Sequence, residues 1–330
     1  MVVFLGLLWY HMQTDGGISM QERIGKLDIK IQEYIKLGLK TGFFNNENIE
    51  RAITRLERVK FSIDNNCSGD AQTTPIRDPE NLRISNGLDV RINEFKTKNS
   101  GKFYFEDEVI FHELSHCVNG LYENWFENLS LYFDFDKIFF ERFNVKQERI
   151  EELSSNPNYR QRAYAWLMLD EFVAQFISQK MVEEKYGRKI YLVSLKPIKQ
   201  SNPILYVNSN FADYHEFYEL VINFIKPIYG DNVKQFVKDS LDDTSINKIF
   251  DFYSSRTNGC LALYSLLGEM GNIGFAVASR NFTESQKSSD NDMIARDPTN
   301  FQTHYSTSLD IINNVLNDKI FIPGIQGNFN

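Results

Sequence analysis

Isoleucine and leucine recur every three or four positions between charges through "ISMQERIGKLDIKIQEYIKLGL". They do so again through "NNENIERAITRLERVKFSI", behind an asparagine cap, so residues 19–60 are predicted helical. The polar stretch from Asn65 to Asn86, with its Gly, Pro and Asn, is predicted as loop. "GLDVRINEF" (87–95) sets Leu88, Val90 and Ile92 against Asp89, Arg91 and Asn93, the alternation of a half-buried strand, and "KTKNSGK" is a turn. "FEDEVIFHELSHCVNG" (105–120) follows as a helix with Glu106, Asp107 and Glu108 in its first turn, where the dipole favours acids. Its stop is predicted after about Val118, at Asn119-Gly120. An aromatic-rich stretch (121–143) and a loop at 154–158 lead to the strongest long helix, 159–187, closed by Gly187. Beyond it "KIYLVSL" is predicted as a strand, and "DYHEFYELVINFIKPIYG" and "NVKQFVKDSL" as helices. "GCLALYSLLGEMGNIGFAVAS" is predicted as a buried helix whose glycines allow close approach, and 281–300 as a polar loop. Helices, one or two strands, then more helices predict a mainly helical α+β protein.

Composition narrows the picture. The 330 residues suffice for one large or two medium domains, and 42% hydrophobic with 24% charged residues is ordinary globular usage. The 27 Phe and 16 Tyr are assigned mostly to the core. A net charge of −8 without a basic stripe argues against a nucleic-acid partner. Cys67, Cys117 and Cys260, odd in number and far apart, fit reduced thiols in a cytosolic protein better than a disulfide framework. The apolar start, "MVVFLGLLWYHM", is too short to span a bilayer, which takes about 20 residues, and lacks the basic leader of a secretion signal. It is assigned to a buried terminal element, with secretion as the alternative. No other stretch is long and apolar enough for a membrane span.

Chemistry concentrates in His112-Glu113-Leu114-Ser115-His116, an H-E-x-x-H pattern. On a helix the two histidines lie one turn apart on one face, where both imidazoles can bind one Zn²⁺. Glu113, rotated by about 100° from His112, can reach a water on the metal rather than the metal itself. Cys117 points about 100° away from the histidine face and is a packed neighbour.

A catalytic zinc takes a third protein ligand. The H-x-x-G-x-x-H continuation of metzincins fails, because Asn119 and Tyr122 occupy the glycine and final histidine positions. Glu171, on the strong helix with Leu167, Ala174, Gln175 and Ser178 on its face, is the best candidate. Small Ala174 would let the two helices approach, and Gln175 could accept the outer N–H of a ligand histidine. Glu151, Glu152 and Asp170 are weaker rivals.

With His112-Glu113-x-x-His116 on one helix and Glu171-Phe172-Val173-Ala174 on a later one, the chain resembles the gluzincin zinc metallopeptidases over about residues 86–185. The resemblance implies a zincin-like core with a small sheet, an edge strand over the cleft and a helical C-terminal region; "GLDVRINEF" is the expected edge strand, binding extended peptide by strand addition. It implies zinc held by His112, His116 and Glu171, with Glu113 as general base on a protein or peptide substrate. Two departures stand out: residues 117–170, 54 in all, separate His116 from Glu171, and Gln175 stands where thermolysin-like members carry aspartate. Tyr214, His215 and His304 are candidates for stabilising the transition state. The expected organisation is an N-terminal helical region (1–85), a catalytic core (86–187) and a mainly helical C-terminal region (188–330). The competing classes are a catalytically silent zincin-like binding module and a helical interaction protein with a chance motif. The first has no need of Glu113, and the second would hold no stoichiometric zinc.

Overall fold

A computed structural model describes residues 19–67, 70–77, 84–119, 162–191, 196–197, 206–207, 212–283 and 298–317. The apolar N-terminus, the aromatic stretch 121–143, the loop at 154–158 and the rival carboxylates Glu151 and Glu152 lie outside them.

The N-terminal helical pattern resolves into α1 (Met20–Gly25), α2 (Ile29–Thr41) and α3 (Ile49–Leu56). Ser19 and Asp28 cap the first two by accepting the backbone N–H of Glu22 and Lys30, and Gly42, at φ 70°, ends α2 in the left-handed region. The helical expectation then fails over its last residues: "VKFSI" is β1 (Val59–Ile63), whose β-branched and aromatic residues suit a strand. A second correction falls in the predicted loop, which contains β2 (Ala71–Arg77) and the start of β3 (Ile84–Ile92). The sheet order is β1-β3-β2, with β1 parallel and β2 antiparallel to β3. Among the described residues the strand expected at the edge is therefore the central one, and β2 is the antiparallel edge. Val90 is fully buried on the helix-facing side, and Asp89 accepts from the Ser62 hydroxyl on the other, as the alternation predicts.

The turn after β3 contains a short helix, α4 (Glu94–Lys98), capped by Asn93 accepting the Lys96 N–H. Then comes α5 (Phe105–Val118), with Asn119 as C-cap, as expected. The long helix is α6 (Arg162–Tyr186), ended by Gly187 at φ 81°. The strand expected from "KIYLVSL" is not formed at its start, where α7 (Arg188–Tyr191) is helical; two-residue strands β4 (Lys196–Pro197) and β5 (Tyr206–Val207) pair nearby. Helices α8 (Ala212–Tyr229), α9 (Val233–Leu241) and α11 (Gly259–Thr283) match expectation. The additional α10 (Ser245–Ser254) and α12 (Pro298–Leu316) had not been anticipated, and Asn281–Thr283 and Pro298–Asn300 of the predicted polar loop are helical. The result is mainly helical α+β with a small sheet.

Helix α6 runs through the middle. Ala165, Leu169, Phe172, Val173, Ala174, Phe176, Ile177, Met181 and Val182 are buried on nearly every side of it, so it carries no single apolar stripe. It packs against α2, α5, α8, α9 and α11. The α11 approach is close because Gly274 has no side chain: a Cβ there would stand 2.7 Å from Met168 Cγ and 2.8 Å from the Tyr164 carbonyl oxygen. One continuous apolar cluster links α1 to α12.

Candidate metal centre

Helix α5 is clamped along its length. At its N-terminus Asp107 accepts from Lys30 Nζ of α2 at 2.8 Å, from Lys185 Nζ of α6 at 2.5 Å and from the Tyr186 hydroxyl. Burial alone would raise the Asp107 carboxyl; these partners outweigh it and hold it below the usual carboxylate range. Midway, the buried Tyr34 and Ser115 hydroxyls meet at 3.0 Å. At the C-terminus Arg55 of α3 donates to the Val118 carbonyl at 2.8 Å. Facing α5, the Ser178 hydroxyl of α6 donates to the Glu108 carbonyl at 2.6 Å.

That clamping aligns three side chains. His112 Nε2 stands 3.1 Å from His116 Nε2 and 3.2 Å from Glu171 Oε2; His116 Nε2 is 3.7 Å from Glu171 Oε1. The i, i+4 spacing on α5 sets the first distance and the α5–α6 packing sets the others. Two donors on one tetrahedral zinc, each at about 2.0–2.1 Å, stand about 3.3 Å apart, so these separations fit a shared cation without rearrangement. Among the described residues this is the one His/Cys/Asp/Glu group that could hold a metal ion. Asp170, weighed as a rival ligand, points elsewhere.

Behind the cluster, His116 Nδ1–H donates to Asp170 Oδ2 at 2.6 Å, and Asn119 Nδ2 donates to Asp170 Oδ1 at 2.5 Å, all three residues being buried. This fixes the His116 tautomer so that Nε2 faces the cluster. Burial would lower the His116 imidazole, but the Asp170 and Glu171 carboxylates outweigh it and push it up to about 10. Burial would raise Glu171; His116 and His112 outweigh that and hold it down at about 2. Burial raises the Asp170 carboxyl against the pull of His116. A proton and a divalent cation compete for the same ring nitrogens here.

The expected role of Gln175 is corrected: its amide donates to Glu108 Oε1 at 3.3 Å, one turn before His112, and it reaches neither ligand ring. The buried His112 Nδ1 has no hydrogen-bond partner among the described residues. Glu113, itself buried, accepts a 2.6 Å hydrogen bond at Oε2 from the Thr73 hydroxyl of β2. Sequence reasoning missed Thr73 because its strand was read as loop. Cys117 donates from Sγ to the Glu113 carbonyl at 3.3 Å, a packed neighbour as expected. Tyr214 and His215 lie in the first turn of α8, and His304 of α12 pairs through Nδ1 with Glu269 of α11 at 2.5 Å.

No protein-family model, curated protein or solved structure matches the chain. The class of site is therefore defined by its geometry alone: two histidines and a carboxylate converging from two packed helices, with a buried glutamate between the histidines in sequence.

Proposed function

We propose that the chain is a zinc-dependent metallopeptidase acting on protein or peptide substrates, with a zincin-like core. The observation that carries this reading is the convergence of His112, His116 and Glu171 from α5 and α6, with Glu113 one residue past the first ligand. A two-nitrogen, one-oxygen donor set suits zinc with one position open.

When bound, zinc supplies a Lewis acid that polarises a carbonyl and lowers the pKa of a water toward about 7. The chain's own residues do the rest. His112, His116 and Glu171 hold the ion, and Asp170 orients the His116 ring. Glu113 takes the proton from the attacking water and delivers it to the leaving amine. Edge strand β2, lying over α5, offers its main chain to an extended substrate. No described helix is long and apolar enough to cross a membrane.

The test is zinc content per chain after purification and reconstitution, followed by cleavage of fluorescently labelled casein. About one zinc is expected in the wild type, with a clear loss in Glu171→Ala. Glu113→Gln should keep the zinc and lose the cleavage. A wild type that takes up no zinc would end the metallopeptidase reading.

A further inference from the structure

Where α5 ends decides what stands behind the candidate metal centre, and a residue of α3 acts at that end. The last carbonyls of an α-helix have no partner within it. Val118 is buried, and its carbonyl accepts from Arg55 Nη1 at 2.8 Å. The guanidinium takes the place that the N–H of a further helical turn would fill, and a cation there also suits the helix dipole. With that carbonyl satisfied the chain leaves the helix: Asn119 is extended at φ −80° and ψ 125°, while its own N–H still closes the last turn on the Ser115 carbonyl at 3.0 Å.

This exit aims the Asn119 side chain at α6. Its Nδ2 donates to Asp170 Oδ1 at 2.5 Å, which leaves Oδ2 to accept from His116 Nδ1 at 2.6 Å. Arg55, Asn119, Asp170 and His116 are 8%, 0%, 1% and 4% exposed, so water has little access to replace a lost member of the series. Arg55 is fixed from its far side too. Its Nη2 stands 3.2 Å and 3.4 Å from the two carboxylate oxygens of Asp243, in the turn between α9 and α10, and Arg51 Nη1 donates to the same carboxylate at 2.8 Å.

We propose that Arg55 is a positioning residue for the metal centre: by taking the Val118 carbonyl it ends α5 there, and through Asn119 and Asp170 it sets the ring of His116. This rests on the metallopeptidase reading above. It extends the support of the site to the turn between α9 and α10, so that the C-terminal helices bear on the grip of the ion.

The experiment compares wild type, Arg55→Lys, Asn119→Ala and the double variant, with Asp243→Gly as a second route to Arg55. Lysine keeps the positive charge but not the fork that spans Val118 and Asp243. Glycine accepts the φ of 59° found at Asp243 without strain. Urea unfolding checks each fold, competition with a chelator of known affinity gives zinc binding, and crystals of the metal-free proteins show the Asn119–Asp170 contact. Arg55→Lys and Asn119→Ala should each weaken zinc binding by about tenfold, as loss of an outer partner of a ligand does. The double variant should be weaker than either by no more than about twofold, because both changes act along one path. Asp243→Gly should weaken binding by at least about threefold. Crystals of Arg55→Lys should show Asn119 turned away from Asp170. A merely structural Arg55 would lower urea stability and leave the zinc affinity of the folded protein alone. Unchanged affinity in Arg55→Lys or, should that variant not fold, in Asp243→Gly would overturn the proposal. So would a double variant about 100-fold weaker, the product of two independent effects, or Asn119 still on Asp170 in Arg55→Lys. If the wild type takes up no zinc the metallopeptidase reading falls, while the metal-free crystals still decide whether Arg55 places Asn119.

Discussion

Asp170 and Glu171 are neighbours on α6 but address different atoms of the site. Successive helical residues diverge by about 100°, so Glu171 faces the histidine nitrogens while Asp170 reaches the buried Nδ1 of His116. Asp170→Asn is therefore expected to keep the fold and weaken zinc binding by about 10–100-fold, measured by competition with a chelator of known affinity. Unchanged affinity would make the Asp170 contact a packing feature only. Asp107 is a different kind of carboxylate, holding α5 against α2 and α6. Its folded pKa is depressed, so its stabilisation is present above the unfolded value of about 3.9 and disappears as pH falls through the folded one. Asp107→Asn should cost about 1–3 kcal/mol in urea unfolding at pH 7, with the gap from wild type narrowing at pH 3. At this scale the convergence of the candidate positions His112 and His116 was legible because their spacing on a helix is a periodicity. The outer partner of His116 was not: whether Asp170 or Gln175 meets an imidazole depends on side-chain rotamers and helix crossing, which spacing does not encode.

Whole elements divide in the same way. Most of the long helices were legible because of their repeated apolar positions or their length, though the 19-residue α12 was not, and α5 also announces its ends with acids and Asn119. The two outer strands were not. "VKFSI" continues a helical run in composition, and "AQTTPIR" is polar and proline-bearing, as a one-sided edge strand can be. That misreading concealed Thr73, so an error about an element became an error about the site. The close crossing of α6 and α11, by contrast, was announced by glycines. Gly274→Ala would gain about 1 kcal/mol of helix propensity, yet its Cβ would meet Met168 and the Tyr164 carbonyl at under 3 Å. A net loss of about 1–3 kcal/mol is expected in thermal unfolding. A neutral or stabilising result would show that the crossing can open without cost.

For the molecule as a whole, the site joins segments that are far apart in the chain. Zinc that binds only the folded state should stabilise it by about 2.7 kcal/mol at a free concentration 100 times the Kd. Thermal unfolding with zinc and with chelator should show this shift in the wild type and not in Glu171→Ala. On the proposed zinc reading, the same geometry would make the ion a clock for folding. His112 and His116 come together as soon as α5 coils, an event of about a microsecond, but Glu171 arrives only when α6 docks from beyond residues 117–170. A weak two-histidine grip should therefore precede the tight three-donor one during refolding. A zinc-responsive dye in a stopped-flow cell would see that second capture as a delayed phase. Its rate is the rate at which the two helices find each other.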